Sequence, residues 1–280
     1  MEQSIKQLLN KYNIKPSKRL GQNFLIDESV LEKIIIAAEL SEKDTILEIG
    51  PGLGILTLEL AKKVKQVIAV EKDKKMCEIL QELLDVGNVK NVKIINNDIL
   101  KVRSSEFGVQ DYKVVANLPY YIASPVIRMF LETENKPESM ILMVQKEVAQ
   151  RICARPPQMS ILAVAVQFYA QPKIVSEVSK TSFFPQPKVD SAIIRITPRI
   201  NTNKITNNRK FDTKRFFGMV KNGFAHKRKL LISNLKNGFE VRSFKFEDLF
   251  EEIGVDIKSR AENLSVENWI KLYGKIENIL

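Results

Sequence analysis

The sequence predicts an α/β protein: a parallel, doubly wound sheet with helices on both faces, then a small all-helical C-terminal domain. Three observations carry this reading. From Thr45 onward, short apolar runs alternate with amphipathic stretches of helical period, the pattern of successive βα units. The glycine-rich turn Glu48-Ile49-Gly50-Pro51-Gly52-Leu53-Gly54 follows the first of these runs and opens a helix. Beyond Pro198 the strand pattern stops, residues 201–208 are polar and low in complexity, and only helical patterns follow.

Element by element, residues 1–26 read as a basic arm with a short helix at 4–10 and a cationic stretch through Lys15, Lys18 and Arg19. A helix follows at 28–39, where Val30, Leu31, Ile34, Ile35 and Ala38 recur at helical spacing. Strands are predicted at 45–49, 66–70, 92–95, 113–116 and 140–144, with helices at 53–64, 74–84 and 125–131. Helices at 146–154 and 160–169 precede two closing strands, 174–178 and 191–196. No long helix separates that pair, so it is free to lie antiparallel, with the 182–187 loop at its tip. The tail reads as helices at 213–220, through the basic segment to 235, at 246–253, and at 266–276 with Ser265 as N-cap. The domains are then the arm (1–26), the sheet domain (27–200) and the helical domain (201–280).

Charge and composition narrow the function classes. Lys and Arg outnumber Asp and Glu by 44 to 33, a net charge of +11, which points to an anionic partner. Residues 201–236 hold ten Lys or Arg against one acid, so much of the excess sits in one stretch. One histidine and two cysteines, Cys77 and Cys153, exclude a His-rich metal site and a disulfide framework. Both cysteines fall within helical patterns, among Met76, Ile79 and Ile152, as core or boundary residues. No apolar run reaches the ~20 residues of a membrane span, and the N-terminus lacks an apolar leader core. A cytoplasmic protein is expected.

The chemistry concentrates at strand ends, where open α/β sheets bind ligands. The glycine turn permits close approach of a ligand to the backbone. Glu71, 17 residues beyond Gly54 at the end of the next strand, is placed to accept ribose hydroxyls. Asp98 ends the third strand, where it can take an adenine amino group. A dinucleotide fingerprint would put its third glycine where Ile55 stands, so the spacing favours S-adenosylmethionine over NAD. Asn117-Leu118-Pro119-Tyr120 ends the fourth strand. It offers an amide and a main-chain carbonyl as acceptors for an exocyclic amine, and a ring to stack on the base.

These motifs, with Lys18-Arg19-Leu20-Gly21-Gln22-Asn23-Phe24-Leu25-Ile26-Asp27 and Phe183-Phe184-Pro185-Gln186-Pro187-Lys188-Val189-Asp190-Ser191, resemble the ribosomal RNA adenine N6-methyltransferases. The runs Gly223-Phe224-Ala225-His226-Lys227-Arg228-Lys229-Leu230-Leu231 and Ser259-Arg260-Ala261-Glu262-Asn263-Leu264-Ser265 are similar to those of the bacterial small-subunit dimethyladenosine transferases. The resemblance covers residues 15–272. It implies a Rossmann-like class I methyltransferase sheet that dimethylates the N6 amines of two adjacent adenosines near the 3′ end of 16S rRNA. The implied cofactor is S-adenosylmethionine with no metal, and the implied partner is the small ribosomal subunit or its precursor, met by a monomer.

On this resemblance, Asn23, Leu25, Gly50, Gly52, Glu71, Asp98 and Asn117 contact the cofactor. Asn117 and the Pro119 carbonyl hold the target amine. Tyr120 stacks on the flipped base, and Phe183 covers its other face, with Phe184 as substitute. Lys18, Arg19, Lys221, Lys227, Arg228 and Lys229 meet RNA. Two competing functions remain: a large-subunit adenine methyltransferase of the antibiotic-resistance type, and an assembly factor acting mainly by binding.

Overall fold

The computed structural model describes residues 1–102, 104–199, 211–238 and 246–277. The expected linker at 201–208 lies outside them. In chain order the elements are α1 Glu2–Lys11, β1 Phe24–Leu25, α2 Glu28–Ala38, β2 Thr45–Ile49, α3 Ile55–Ala61, β3 Gln66–Glu71, α4 Lys74–Val86, β4 Val92–Asn96, β5 Lys113–Asn117, α5 Ala123–Glu132, β6 Met140–Gln145 and α6 Lys146–Ile152. Then come α7 Ile161–Tyr169, β7 Ala170–Val178, β8 Phe183–Phe184, β9 Ser191–Pro198, α8 Thr213–Gly223, α9 Leu231–Gly238, α10 Phe246–Glu252 and α11 Val266–Glu277.

The main sheet has seven strands in the order β4-β3-β2-β5-β6-β9-β7. Strands β2 to β6 pair parallel, with Glu48 opposite Ala69 and Asn117 opposite Met143. Strand β9 pairs antiparallel with β6, from Met140 opposite Ile196 to Gln145 opposite Ser191, and β7 lies beside β9. The parallel strands read as near-continuous apolar runs because helices cover both faces. Ile46, Leu47, Val67, Val114 and Leu142 are each 0% exposed. Order reverses between β2 and β5, so the ends of β2, β3 and β5 open into the crevice where such sheets take ligands.

Local chemistry sets the helix starts. Asp27 accepts from Ser29 N at 3.0 Å to cap α2, and Asp73 accepts from Lys75 N at 3.0 Å to cap α4. Helix α3 begins at Ile55, two residues later than its apolar pattern, because Gly54 holds a left-handed φ of +77° as its N-cap. Helix α1 buries Ile5 and Leu9 in a cluster with Phe24, Leu53, Met76 and Ile79. The basic arm is therefore seated on the sheet unit. A two-stranded antiparallel sheet sets Phe24 opposite Phe184 and Leu25 opposite Phe183, a pairing too short to show as periodicity.

The compact units divide otherwise than the sequence suggests. One comprises Met1–Ala149 with Gln171–Pro198; the other joins Gln150–Ala170 to the residues from Arg199 onward. The reason is packing. Ala163, Val164 and Phe168 of α7 are buried in one core with Phe216, Leu231, Phe250 and Trp269, and the Phe168 and Phe216 rings stack with centroids 4.8 Å apart. Ser265 caps α11 as expected, accepting from Asn268 N at 3.2 Å. Trp269 and Tyr273 are buried core residues.

Candidate active site

A cavity of about 320 Å³ opens at the carboxyl ends of β2, β3 and β5. Asn23, Leu25, Gly50, Gly52, Glu71, Asp98 and Asn117 all line it, as do Pro119 and Tyr120.

The glycine turn forms one wall. Gly52 has φ +55°, and a Cβ there would come within 3.2 Å of the Phe24 ring; at Gly54 it would come within 2.4 Å of Leu80 Cδ1. The main chain thus runs where side chains cannot, and it borders the cavity directly. Glu71 braces this turn. Its carboxylate accepts from Gly52 N at 3.1 Å and from Asp73 N at 2.8 Å, and burial raises its pKa above the ordinary carboxylate value. Two oxygens with about four lone-pair sites still leave acceptor capacity toward the cavity.

Glu48 also lines the cavity, at 1% exposure. Burial pushes its pKa up to about 8, and its Oε2 has no hydrogen-bond partner among the described residues. A buried, unpartnered carboxyl oxygen at a cavity wall suits a cationic or hydrogen-donating ligand group.

At the far end Asp98 accepts from Leu100 N at 3.1 Å and from Lys72 Nζ at 2.8 Å. The lysine, first among the causes, holds the Asp98 carboxyl below its ordinary range. Lys72 lines the cavity too. No spacing in the sequence marks it, although it directly follows the ribose-binding candidate Glu71.

On the opposite wall the Asn117 amide donates to Asn23 O at 3.2 Å, which turns its own carbonyl oxygen away from Asn23. The Pro119 carbonyl accepts from Ile122 N at 3.1 Å, within the single 3-10 turn Tyr120–Ile122, and keeps its second lone pair. The Tyr120 hydroxyl lies 2.7 Å from Ser191 Oγ. Tyr121, 55% exposed, stands on the rim and had not been singled out.

Phe183 and Phe184 are not among the lining residues. Phe183 is 3% exposed and sits in the core cluster of Leu25, Leu31 and Ile193. Phe184 packs beside the α1 cluster, with Lys6 Nζ 5.2 Å from its ring centre. The expected second face of a base stack is therefore not formed by either ring in this structure.

Lys18 and Arg19 are exposed, just ahead of the lining segment that starts at Leu20. In the helical unit Lys221 is exposed near the end of α8. Lys227, Arg228 and Lys229 lie in the turn between α8 and α9, within the basic segment whose pattern reads as helical. This turn is pinned from below: Asn234 donates to Gly223 O at 2.7 Å and to His226 O at 3.1 Å, and Phe224 stacks on Trp269. Among the described residues no group of His, Cys, Asp and Glu is arranged to hold a metal ion, and no helix is long and apolar enough to cross a membrane.

The family model described as "Ribosomal RNA adenine dimethylase" matches residues 13–278. A "Ribosomal RNA small subunit methyltransferase A" of Dehalococcoides mccartyi is 45% identical over 270 residues, covering 95% of this chain and 90% of that one. The protein of the same name in Clostridium botulinum is 43% identical over 279 residues, covering 98% and 99%. Among solved structures, a dimethyladenosine transferase from Plasmodium falciparum superposes with a TM-score of 0.77 at 26% identity, covering 91% of this chain and 98% of that one. The 23S rRNA methyltransferase ErmE gives 0.73 at 27%, covering 91% and 100%. The two folds match almost equally well, so discrimination between the two rRNA targets rests on sequence.

Proposed function

The chain belongs to the ribosomal RNA adenine dimethylase family, and from that membership we propose that its cavity carries S-adenosylmethionine-dependent dimethylation of the N6 amines of two adjacent adenosines near the 3′ end of small-subunit rRNA, in the cytoplasm and during ribosome assembly. One observation carries the reading: Asn117, Pro119 and Tyr120 share a single cavity with Glu71 and Asp98, so acceptors for a target amine face the acids suited to a nucleoside cofactor.

The residues fit that cofactor. The turn brings its main chain to the cavity wall at Gly50 and Gly52, Glu71 offers lone pairs to ribose hydroxyls, Asp98 to an adenine amine, and the unpartnered Glu48 oxygen to an α-ammonium group. When bound, the cofactor supplies a methyl group already activated by its sulfonium centre. The chain's own task is positioning. The Asn117 side-chain carbonyl and the Pro119 main-chain carbonyl each accept a hydrogen bond from the amine. Two acceptors draw the nitrogen toward a pyramidal shape and aim its lone pair at the methyl. Asn117 is neutral, which suits an acceptor that need not remove a proton: the ammonium product is acidic enough to lose its proton to water. Tyr120 offers a ring face to the base, worth ~1–3 kcal/mol per stacked base.

The test is to incubate the protein with labelled S-adenosylmethionine and either undermethylated small subunits or large subunits, then map the label. Two N6,N6-dimethyladenosines in small-subunit RNA are expected. Label in large-subunit RNA would favour the function of ErmE, whose fold is matched here. Tight small-subunit binding without label would favour an assembly factor.

A further inference from the structure

The segment from Phe183 to Ser191 carries much of the family resemblance, yet its two phenylalanines stand outside the cavity. Its last residue does reach the site. Ser191 is 0% exposed, and its Oγ lies 2.7 Å from the Tyr120 hydroxyl. Ser191 does not line the cavity, so whatever it contributes passes through Tyr120.

The two partners differ in how firmly they are held. Ser191 opens β9 opposite Gln145, the last residue of β6. The preceding Asp190 is fixed twice: its carbonyl accepts from Lys146 N at 3.0 Å, and its Oδ1 accepts from Lys180 N at 3.0 Å. Tyr120 instead lies in a three-residue 3-10 turn with no side-chain cap. Its ring is half-buried and borders open space. An aromatic side chain on a short turn swings about two torsions, and its hydroxyl is the far end of that lever. A hydrogen bond at this point stops the swing about χ1 and so fixes where the ring sits, more firmly than a contact nearer Cβ would. Holding groups in register before the substrate arrives lowers the entropy that must be lost on the way to the transition state.

We propose that Ser191 is a positioning residue for methyl transfer: its hydroxyl anchors the Tyr120 hydroxyl to β9 and so sets the position of the ring on which the target base stacks. This rests on the reading of Tyr120 as the stacking ring. It also gives the end of the Phe183–Ser191 segment a part in the site that its phenylalanines do not play.

The experiment is a double-mutant cycle on undermethylated small subunits with labelled S-adenosylmethionine, using the wild type, Ser191→Ala, Tyr120→Phe, the double variant and Tyr120→Ala. Ser191→Ala and Tyr120→Phe are each expected to lower kcat about 10-fold, the loss of one well-placed hydrogen bond, with KM for the particle and cofactor affinity within twofold of wild type. The double variant should be no slower than the slower single variant, because both remove the same bond. Tyr120→Phe keeps the ring and leaves β9 intact, so it probes the bond even if Ser191→Ala folds poorly. Losses that multiply in the double variant, or single variants at wild-type rate, overturn the proposal. A Tyr120→Ala variant at wild-type rate overturns the stacking reading beneath it, and a wild type that leaves small subunits unlabelled overturns the functional reading itself.

Discussion

The Asn117 side-chain amide donates to the main-chain carbonyl of Asn23 at 3.2 Å, tying the end of β5 to the N-terminal arm across the cavity wall. On the proposed reading one amide serves two parties: its NH2 holds the arm and its carbonyl accepts from the target amine. Asn117→Ala removes both and is expected to lower turnover at least 100-fold. Asn117→Asp keeps an acceptor but sets a carboxylate against the Asn23 carbonyl. It should lose turnover to a similar degree and weaken cofactor binding severalfold as well. Single-turnover methylation and calorimetric titration check the pair; equal cofactor affinity in Asn117→Asp and wild type would mean that the arm is held elsewhere.

Gly54 and Gly108 separate backbone strain from crowding. Both have left-handed φ, +77° and +70°, but a Cβ at Gly54 meets Leu80 Cδ1 at 2.4 Å whereas Gly108 has nothing within 4 Å. Gly108→Ala should cost about 1 kcal/mol in urea unfolding, from the left-handed conformation alone. Gly54→Ala should cost about 2–4 kcal/mol, since Leu80 is wholly buried and cannot move freely. Equal losses would show that α4 yields more readily than its packing indicates.

Glu48 makes stability depend on pH with a definite sign. Its carboxyl titrates near 8 in the folded chain against an ordinary 4.5. Between those values the folded state holds the extra proton, so stability falls as pH rises through this window and levels off above about 8. Glu48→Gln removes the slope. Its melting temperature relative to wild type should rise steadily from pH 5 to 8. A constant difference across that range would place the Glu48 carboxyl in a more polar setting than its burial implies.

The turn that carries Lys227, Arg228 and Lys229 is exposed and held by Asn234 from beneath. Changing all three to Gln should weaken small-subunit binding and reduce the slope of log affinity against log salt by up to about 2, at roughly 0.7 per single-strand phosphate contact. Cofactor affinity should not change, because every cavity-lining residue precedes Val126. Filter binding at four salt concentrations suffices. Parallel lines of equal affinity would move the docking role to Lys15, Lys18 and Arg19.

Much of this architecture is legible in the chain because strand length and burial leave strong traces. The runs at Thr45, Gln66, Lys113 and Met140 start where the strands start, since a parallel strand covered on both faces is apolar through most of its length; the half-exposed edge strand at Val92 also starts where its run does. Glu71, Asp98 and Asn117 meet in one cavity because the ends of neighbouring parallel strands converge, and Asn23 joins them from the arm, where its carbonyl accepts from Asn117. Three features left no such trace. Helix α7 is apolar enough for either core, and periodicity does not say which core receives it. Phe183 and Phe184 alternate across a two-residue strand, and which ring turns inward depends on a register with Phe24 and Leu25 that is set in three dimensions. The Lys72 ammonium finds Asp98 across 26 residues of chain, a contact that no spacing announces.

The short sheet joining Phe24 and Leu25 to Phe183 and Phe184 is reinforced where Ser182 donates to Asp27 at 2.9 Å across 155 residues of sequence. Synthesis runs from the N-terminus, so the arm leaves the ribosome long before its partner strand does. Until Phe183 and Phe184 emerge, Leu25 and Phe24 lack their partner strand, and β6 lacks β9 at its edge. A nascent chain halted before that point carries the glycine turn and both acids without a finished wall. The cavity is thus walled late in synthesis, although every residue lining it is among the first 125 made.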